Sequence, residues 1–196
     1  MAVTFRPAQA SDSFRLAELK LVPAGDMLEF LFPSPQGRSG TIRMVAEFLA
    51  QGQGPYSYKS VTVADVAGHA IGMCAAFPVG QESDSSAEGV FIPPDRLEHI
   101  RHMHEGLVED SLYVDVLSVH EAFRNLGIGG ELLNRAVKRA AKENLNGVCL
   151  MAWADNDPAL RFYARHGFKE AHRVTLAPHP ALARCGDMLM LVRDNG

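Results

Sequence analysis

The residues that point most directly to chemistry lie in "RNLGIGGELL", residues 124–133, where three glycines fall within four positions and a helix-forming, apolar-periodic segment follows at once. A strand that ends in glycines and feeds a helix creates an anion site. The first helical N–H groups lack partners, and the helix dipole is positive there. Glycine also removes the Cβ that would hold an anion away from the main chain. Asn125, Leu126, Gly127, Ile128, Gly129 and Gly130 therefore suit a cradle of amides around phosphate oxygens. A turn that simply reverses the chain would use the same glycines, so the cluster alone leaves both readings open. Two nucleotide-binding patterns are excluded. A P-loop ends in Gly-Lys-Ser/Thr, whereas Gly129 is followed by Gly130 and Glu131. A dinucleotide fingerprint needs a glycine where Leu132 stands and an acid some twenty positions on, where "GVCLM" offers none. His99, His102 and His104 invite a metal reading, but their spacing matches no catalytic zinc signature, and no metal is expected.

The elements around the loop follow from periodicity. "SLYVDVLSV" is a β-rich run ending at the loop, and "GELLNRAVKRAAKE" carries Leu132, Leu133, Val137 and Ala140 at helical spacing. "GVCLMAW" is a second core strand, and "DPALRFYARHG" a short helix opened by Pro158 and stopped by Gly167. Upstream, "VTFRPA" is a short strand, "SDSFRLAEL" a helix capped by Ser11, and "DMLEFLF" and "TIRMVAEFLA" two further helices. Met27, Phe30, Phe32 and Phe48 fall at core spacings. "YSYKSVTVADV" and "AIGMCAAFPV" flank the turn "AGH" as an antiparallel hairpin. A polar, Ser-rich stretch, "GQESDSSAEG", is expected to be mobile, and "PPDRLEHIRHMHEGL" to be an inserted helix. "FKEAHRVTL" and "CGDMLMLVRD" read as a closing strand pair. The pattern is one mixed α/β domain over residues 1–196, with an acidic loop and helix inserted at about 81–108.

Arg124, Gly127 and Gly129 fit Arg/Gln-x-x-Gly-x-Gly/Ala between a strand and a helix, and "NDPALRFYARHGF" fits Asn-x-x-Ala-x-x-Phe/Leu-Tyr-x-x-x-Gly-Phe at Asn156, Ala159, Phe162, Tyr163, Gly167 and Phe168. In these two motifs the chain resembles the GNAT superfamily of acyl-CoA-dependent N-acyltransferases. The resemblance covers residues 112–168 well and is weak over 20–56 and 80–110. Asn125 departs from the glycine of many relatives, but Asn tolerates unusual backbone angles.

The resemblance implies a central, mostly antiparallel sheet with a splayed parallel strand pair and helices on both faces. It implies acetyl-CoA as cosubstrate, its pantetheine arm paired with the main chain of Leu117, Ser118 and Val119 and its pyrophosphate on Arg124 to Gly130. Asn156 and Tyr163, two helical turns apart, would face the cofactor, with Tyr163 meeting the leaving thiolate. Asp115, in strand phase with Tyr113 and Leu117 and so expected on one face with them, is the candidate to accept the amine's proton or to orient the substrate. A backbone N–H near Leu117 would hold the oxyanion. The expected reaction is acetyl transfer to a primary amine, small molecule or exposed amino group, by direct attack in a ternary complex. A non-catalytic acyl-CoA sensor or interaction module, or transfer of another acyl group, is the alternative.

Composition bounds the remaining choices. The chain has 196 residues, 47% of them hydrophobic, and a net charge of only −4, which argues against binding nucleic acid or a membrane surface. No apolar run is long enough to cross a bilayer and the N-terminus lacks a signal-type apolar region, so a cytoplasmic location is expected. Residues 81–121 carry ten acids and two bases, residues 122–196 seven acids and eleven bases. That asymmetry fits an anionic cofactor beside Arg135, Lys138, Arg139 and Lys142 and a cationic acceptor beside the insert, though ordinary solvated surfaces explain it too. Cys74, Cys149 and Cys185 read as free thiols. A homodimer is common among similar proteins.

Overall fold

The computed structural model describes residues 2–81, 91–104 and 106–195, without the side chain of His104. Most of the stretch expected to be mobile, residues 82–90, lies outside the described residues. In chain order the elements are β1 (Thr4–Pro7), α1 (Ser13–Leu31), α2 (Arg38–Ala50), β2 (Val61–Val66), β3 (His69–Pro78), α3 (Pro94–His104), β4 (Ser111–Val119), α4 (Ile128–Lys142), β5 (Gly147–Trp153), α5 (Asp157–Arg165), β6 (Lys169–Leu176) and β7 (Gly186–Asp194). The strands form one seven-stranded sheet in the order β1-β2-β3-β4-β5-β7-β6. Every neighbouring pair is antiparallel except β4 and β5. No helix among the described residues is long and apolar enough to cross a membrane.

Each sheet face buries one stripe of helix. On one face, Leu16, Leu19 and Leu28 of α1 and Phe48 of α2 pack with Val63, Met73 and Val116. On the other, Leu132, Leu133, Ala136 and Ala140 of α4 pack with Cys74, Val114 and Leu150. The α4 residues recur at three- and four-residue spacing, as an amphipathic helix on a sheet requires.

The first helix differs from its sequence expectation in two ways. "SDSFRLAEL" and "DMLEFLF" belong to one helix, α1, kinked where Ala24 takes φ −129° and ψ 22°. Pro23 has no N–H and its ring collides with the preceding turn, so the helix bends there instead of ending. The Leu21 carbonyl at the bend accepts from Arg38 Nη2 at 3.2 Å. Ser11 is not the cap. It sits in a single 3₁₀ turn before α1, where the Asp12 carboxylate accepts the Gln9 N–H at 2.7 Å.

Asp12 also receives Arg6, at 2.7 and 3.0 Å, and the same guanidinium reaches Asp65 at 2.8 Å. This triad ties β1, the start of α1 and β2 together. The hydrogen bonds from Arg6 hold the Asp12 carboxyl below its ordinary value. A carboxylate depressed in this way contributes stability that is fully present above its unfolded value and is lost as pH falls through its folded one. Asp12→Asn is therefore expected to lower the unfolding free energy by about 1–2 kcal/mol at neutral pH. In denaturant titrations the difference from wild type should shrink below about pH 3.9.

Candidate active site

The site begins where β4 and β5 part. Their parallel pairing runs from Ser111↔Gly147 to Val114↔Leu150 and stops there. Beyond that point β4 stays paired with β3 as far as Val119, and β5 stays paired with β7 as far as Trp153. The break coincides with a bulge. Val114 faces Ala76 and Val116 faces Ala75, so Asp115 is an extra residue without a partner on β3.

The bulge corrects one expectation about faces. Strict alternation would put Tyr113, Asp115 and Leu117 on one side. Instead Tyr113 packs with Phe77 and Met190, while Leu117 packs on the opposite face with α4 and its neighbours. One inserted residue reverses the phase of everything after it. Asp115 and Tyr113 remain on the α1 side, where both line the same cavity.

A groove of about 450 Å³ opens where the strands separate. Leu117, Trp153, Asn156, Ala159 and Tyr163 are among its lining residues. Asn156 caps α5, its Oδ1 accepting the Ala159 N–H at 3.3 Å. Tyr163, two turns on, packs its ring against Phe162 and Phe168, and burial pushes the phenol well above its ordinary value. It stays a proton-bearing donor at any physiological pH. Ser118 and Val119 are not among the groove's lining residues. The Ser118 hydroxyl is buried without a partner among the described residues.

The glycine loop joins the same end of the parallel pair. Asn125 and Gly127 take φ of +62° and +77°, two left-handed residues that curl the chain into α4. Among the described residues, none of the amides of residues 125–130 finds an acceptor; the first bond of the helix is from Glu131 N to Gly127 O at 3.1 Å. Such a run of converging, unpaired N–H groups at a helix N-terminus is an anion nest. A Cβ on Gly130 would lie 2.9 Å from His166 Nε2, so Gly130 also lets α4 and α5 approach. Arg124 Nε turns back to the Val119 carbonyl at 3.2 Å. Of the basic residues on α4, Arg135 pairs with Glu131 and covers Phe5, and Arg139 donates to Ala76 O at 2.7 Å beside the bulge. Those two therefore also brace the fold.

A second cavity, about 660 Å³, lies under α1, α2 and α3. It shares Ala24, Met27, Met103, Tyr113, Asp115, Val116 and Met151 with the groove, so the two spaces adjoin along a wall that includes Asp115. Asp115 Oδ2 accepts from Lys20 Nζ at 2.6 Å, with the two side chains only 18% and 10% exposed. No described residue bonds Asp115 Oδ1. Lys20 was not among the residues expected to matter, although its position left a trace: it lies four residues after Leu16 on the buried stripe of α1. Met27 and Phe48, expected in the core, also face this cavity.

The insert helix closes the cavity's outer side. His99 Nε2 lies 3.0 Å from Ala177 O and His102 Nε2 3.0 Å from Thr175 O, so both pin α3 to the end of β6. Arg96 donates to the Phe30 carbonyl and stacks over the Phe30 ring at 5.1 Å. Among the described residues no three His, Cys, Asp or Glu side chains gather as metal ligands. Cys74 and Cys149 are buried free thiols and Cys185 is an exposed one. Burial raises the Cys74 thiol to about 12.

A sheet parted at its one parallel pair, a run of unpaired amides at the parting and a cavity beyond it form the candidate site. Residues 26–168 match the acetyltransferase (GNAT) family, and the chain belongs to that family. A mycothiol acetyltransferase of Corynebacterium aurimucosum is 40% identical over 58 residues, 30% of this chain and 19% of that protein, so the chain spans about a fifth of this relative's length. An N-acetyltransferase from Staphylococcus aureus Mu50 superposes with a TM-score of 0.75 at 17% identity, over 96% of this chain and 99% of that one. Arabidopsis thaliana Naa50, solved with the bisubstrate analogue CoA-Ac-MVNAL, superposes with a TM-score of 0.58 at 18% identity, over 99% of each chain.

The Lys20–Asp115 pair yields a stability test. Removing one partner strands a buried charge, whereas replacing both with apolar groups does not. Lys20→Met should lower the unfolding free energy by about 2–3 kcal/mol in a denaturant titration, a value discounted for the pair's partial exposure. Adding Asp115→Leu should restore most of it.

Proposed function

We propose that the protein moves an acetyl group from acetyl-CoA to a primary amine by direct attack in a ternary complex. The observation that carries this reading is the juxtaposition of six unpaired amides, residues 125–130, with the opening between β4 and β5. The amides suit the pyrophosphate of coenzyme A, and the unpaired edge of β4 beyond Val114 suits the amide-bearing pantetheine arm, added as a strand is added to a sheet edge. The same amides would serve any phosphate, so the strand opening is what selects a carrier with a long, amide-containing arm.

In this reading the acceptor enters through the cavity under α1 and meets the thioester at Asp115. Asp115 Oδ1 accepts the N–H of the incoming amine while Lys20 holds Oδ2. The amine nitrogen attacks the acyl carbon, forming the C–N bond and giving up its proton to Asp115 Oδ1, and the oxygen's developing charge is met by a β4 backbone N–H near Leu117. The C–S bond breaks, and Tyr163 donates to the departing sulfur. A phenol raised by burial does not ionise near pH 10, where an ordinary tyrosine would, and so remains a donor to a thiolate across the working range. No cysteine is needed as an acyl carrier, since Cys74 is held protonated by burial and neither motif contains another.

The test separates binding from chemistry. Tyr163→Phe should lower kcat by about a hundredfold while calorimetry shows coenzyme A affinity within a factor of about two. The wild-type kcat profile should show no alkaline fall centred on the ordinary tyrosine value of about 10. Full turnover in Tyr163→Phe would remove the role given to the phenol. Coenzyme A binding without transfer to any amine would recast the protein as a sensor.

A further inference from the structure

The cavity that receives the acceptor is uneven in its chemistry, and the unevenness identifies the kind of amine it takes. Much of its wall is hydrocarbon and thioether, with Met27, Leu31, Phe48, Leu97, Ile100 and Met151 contributed by three helices and β5, and Tyr56 and Tyr113 add two phenol rings. Among the described residues lining it, Asp115 is the sole carboxylate, and one of its oxygens is already bonded to Lys20. Among the described residues the other charged groups on the wall are Lys20 and Arg101, both positive. The sequence suggested that the acidic insert would draw in a cationic acceptor. In the fold, α3 presents Leu97, Ile100 and Met103 to the cavity, while its acids Asp95 and Glu98 are exposed and do not line it. Arg101, at the edge, is itself paired with Glu98.

A ligand's reacting nitrogen finds a partner in Asp115 Oδ1. A second ammonium farther along the same ligand would lose its hydration against methionine, leucine and phenylalanine side chains, with no unpaired carboxylate among the described residues lining the cavity to receive it. An apolar body loses nothing comparable and gains by burial. A cavity of about 660 Å³ is far larger than one short side chain needs and lies within the roughly 300–1,000 Å³ typical of small-molecule sites.

We infer that the acceptor is a primary monoamine carried on an apolar body of about six or more non-hydrogen atoms, and that polyamines are discriminated against by the apolar wall of α1 and α3. This rests on the acyltransferase reading for its consequence, but its test does not depend on turnover. Full-length protein saturated with coenzyme A is titrated calorimetrically with hexylamine, 4-phenylbutylamine and 1,6-diaminohexane; the first and last share a six-carbon chain and differ only in the second, terminal ammonium.

Hexylamine should bind about tenfold or more tightly than the diamine, and 4-phenylbutylamine more tightly still. Leu97→Glu or Ile100→Glu, each checked for an unchanged coenzyme A heat, should narrow or reverse that preference by placing a carboxylate on the wall. Equal affinities in the wild type, a preference for the diamine, or heat from coenzyme A but from no amine would overturn the inference. If hexylamine and 4-phenylbutylamine bind as expected but are not acetylated from acetyl-CoA, the transfer reading fails and the assignment of the cavity stands.

Discussion

The constraint on which the rest depends is the early end of one strand pairing. A parallel pair inside a sheet ordinarily runs its full length, because each unpaired backbone group left away from water is costly. Here β4 and β5 keep only four residue pairs, and the strain of parting is limited because each strand retains its other neighbour: β3 holds β4 to Val119, and β7 holds β5 to Trp153. Each strand thus gives up one edge. The bulge at Asp115 bends β4 and increases its twist at the residue where the pairing ends, as bulges do. The opening leaves a main-chain edge at one place and puts a carboxylate at that same place.

The local parts of this arrangement were legible in the sequence. The elements, the hairpin, the amide loop with its left-handed Asn125 and the placement of Asn156 and Tyr163 on one short helix all depend on neighbours within about ten residues, and periodicity and turn chemistry report such neighbours. The bulge was not legible. "SLYVDVLSV" alternates without interruption, and an inserted residue shows only when the partner strand is known, so the faces assigned beyond Asp115 came out reversed for Leu117. Lys20 lies 95 residues before Asp115 and pairs with it only through tertiary structure, although a lysine on a buried helical stripe was a readable oddity. The kink at Pro23 was readable as a break but not as a continuation.

The histidines of the insert show how a cluster in sequence can serve packing alone. His99 and His102 lie three apart on α3 and both reach carbonyls at the end of β6, while Arg96, on the same helix, reaches the end of α1. Three side chains from one helix thereby tie it to two elements distant in sequence, and α3 becomes a wall. Glycines in the loop divide their work similarly: Gly127 serves its backbone angle, and Gly130 serves the approach of α4 to α5. A substitution at either would disturb the loop by a different route.

The Lys20–Asp115 pair is an odd way to hold α1 against β4 if stability were its sole use. Desolvating two charges costs about as much as their attraction returns, and an apolar pair of similar volume would join the two elements at least as firmly. What the ion pair supplies, and an apolar pair could not, is direction. One carboxylate oxygen is fixed by the ammonium, which leaves the other without a partner among the described residues, on a residue that lines both groove and cavity and that the bulge has already freed from strand pairing on one side. Three unfavourable local features therefore coincide within a few ångströms: an extra residue in a strand, an early end to a parallel pairing and a buried charge pair. Each alone lowers stability, and together they place one carboxylate on the wall that the two spaces share.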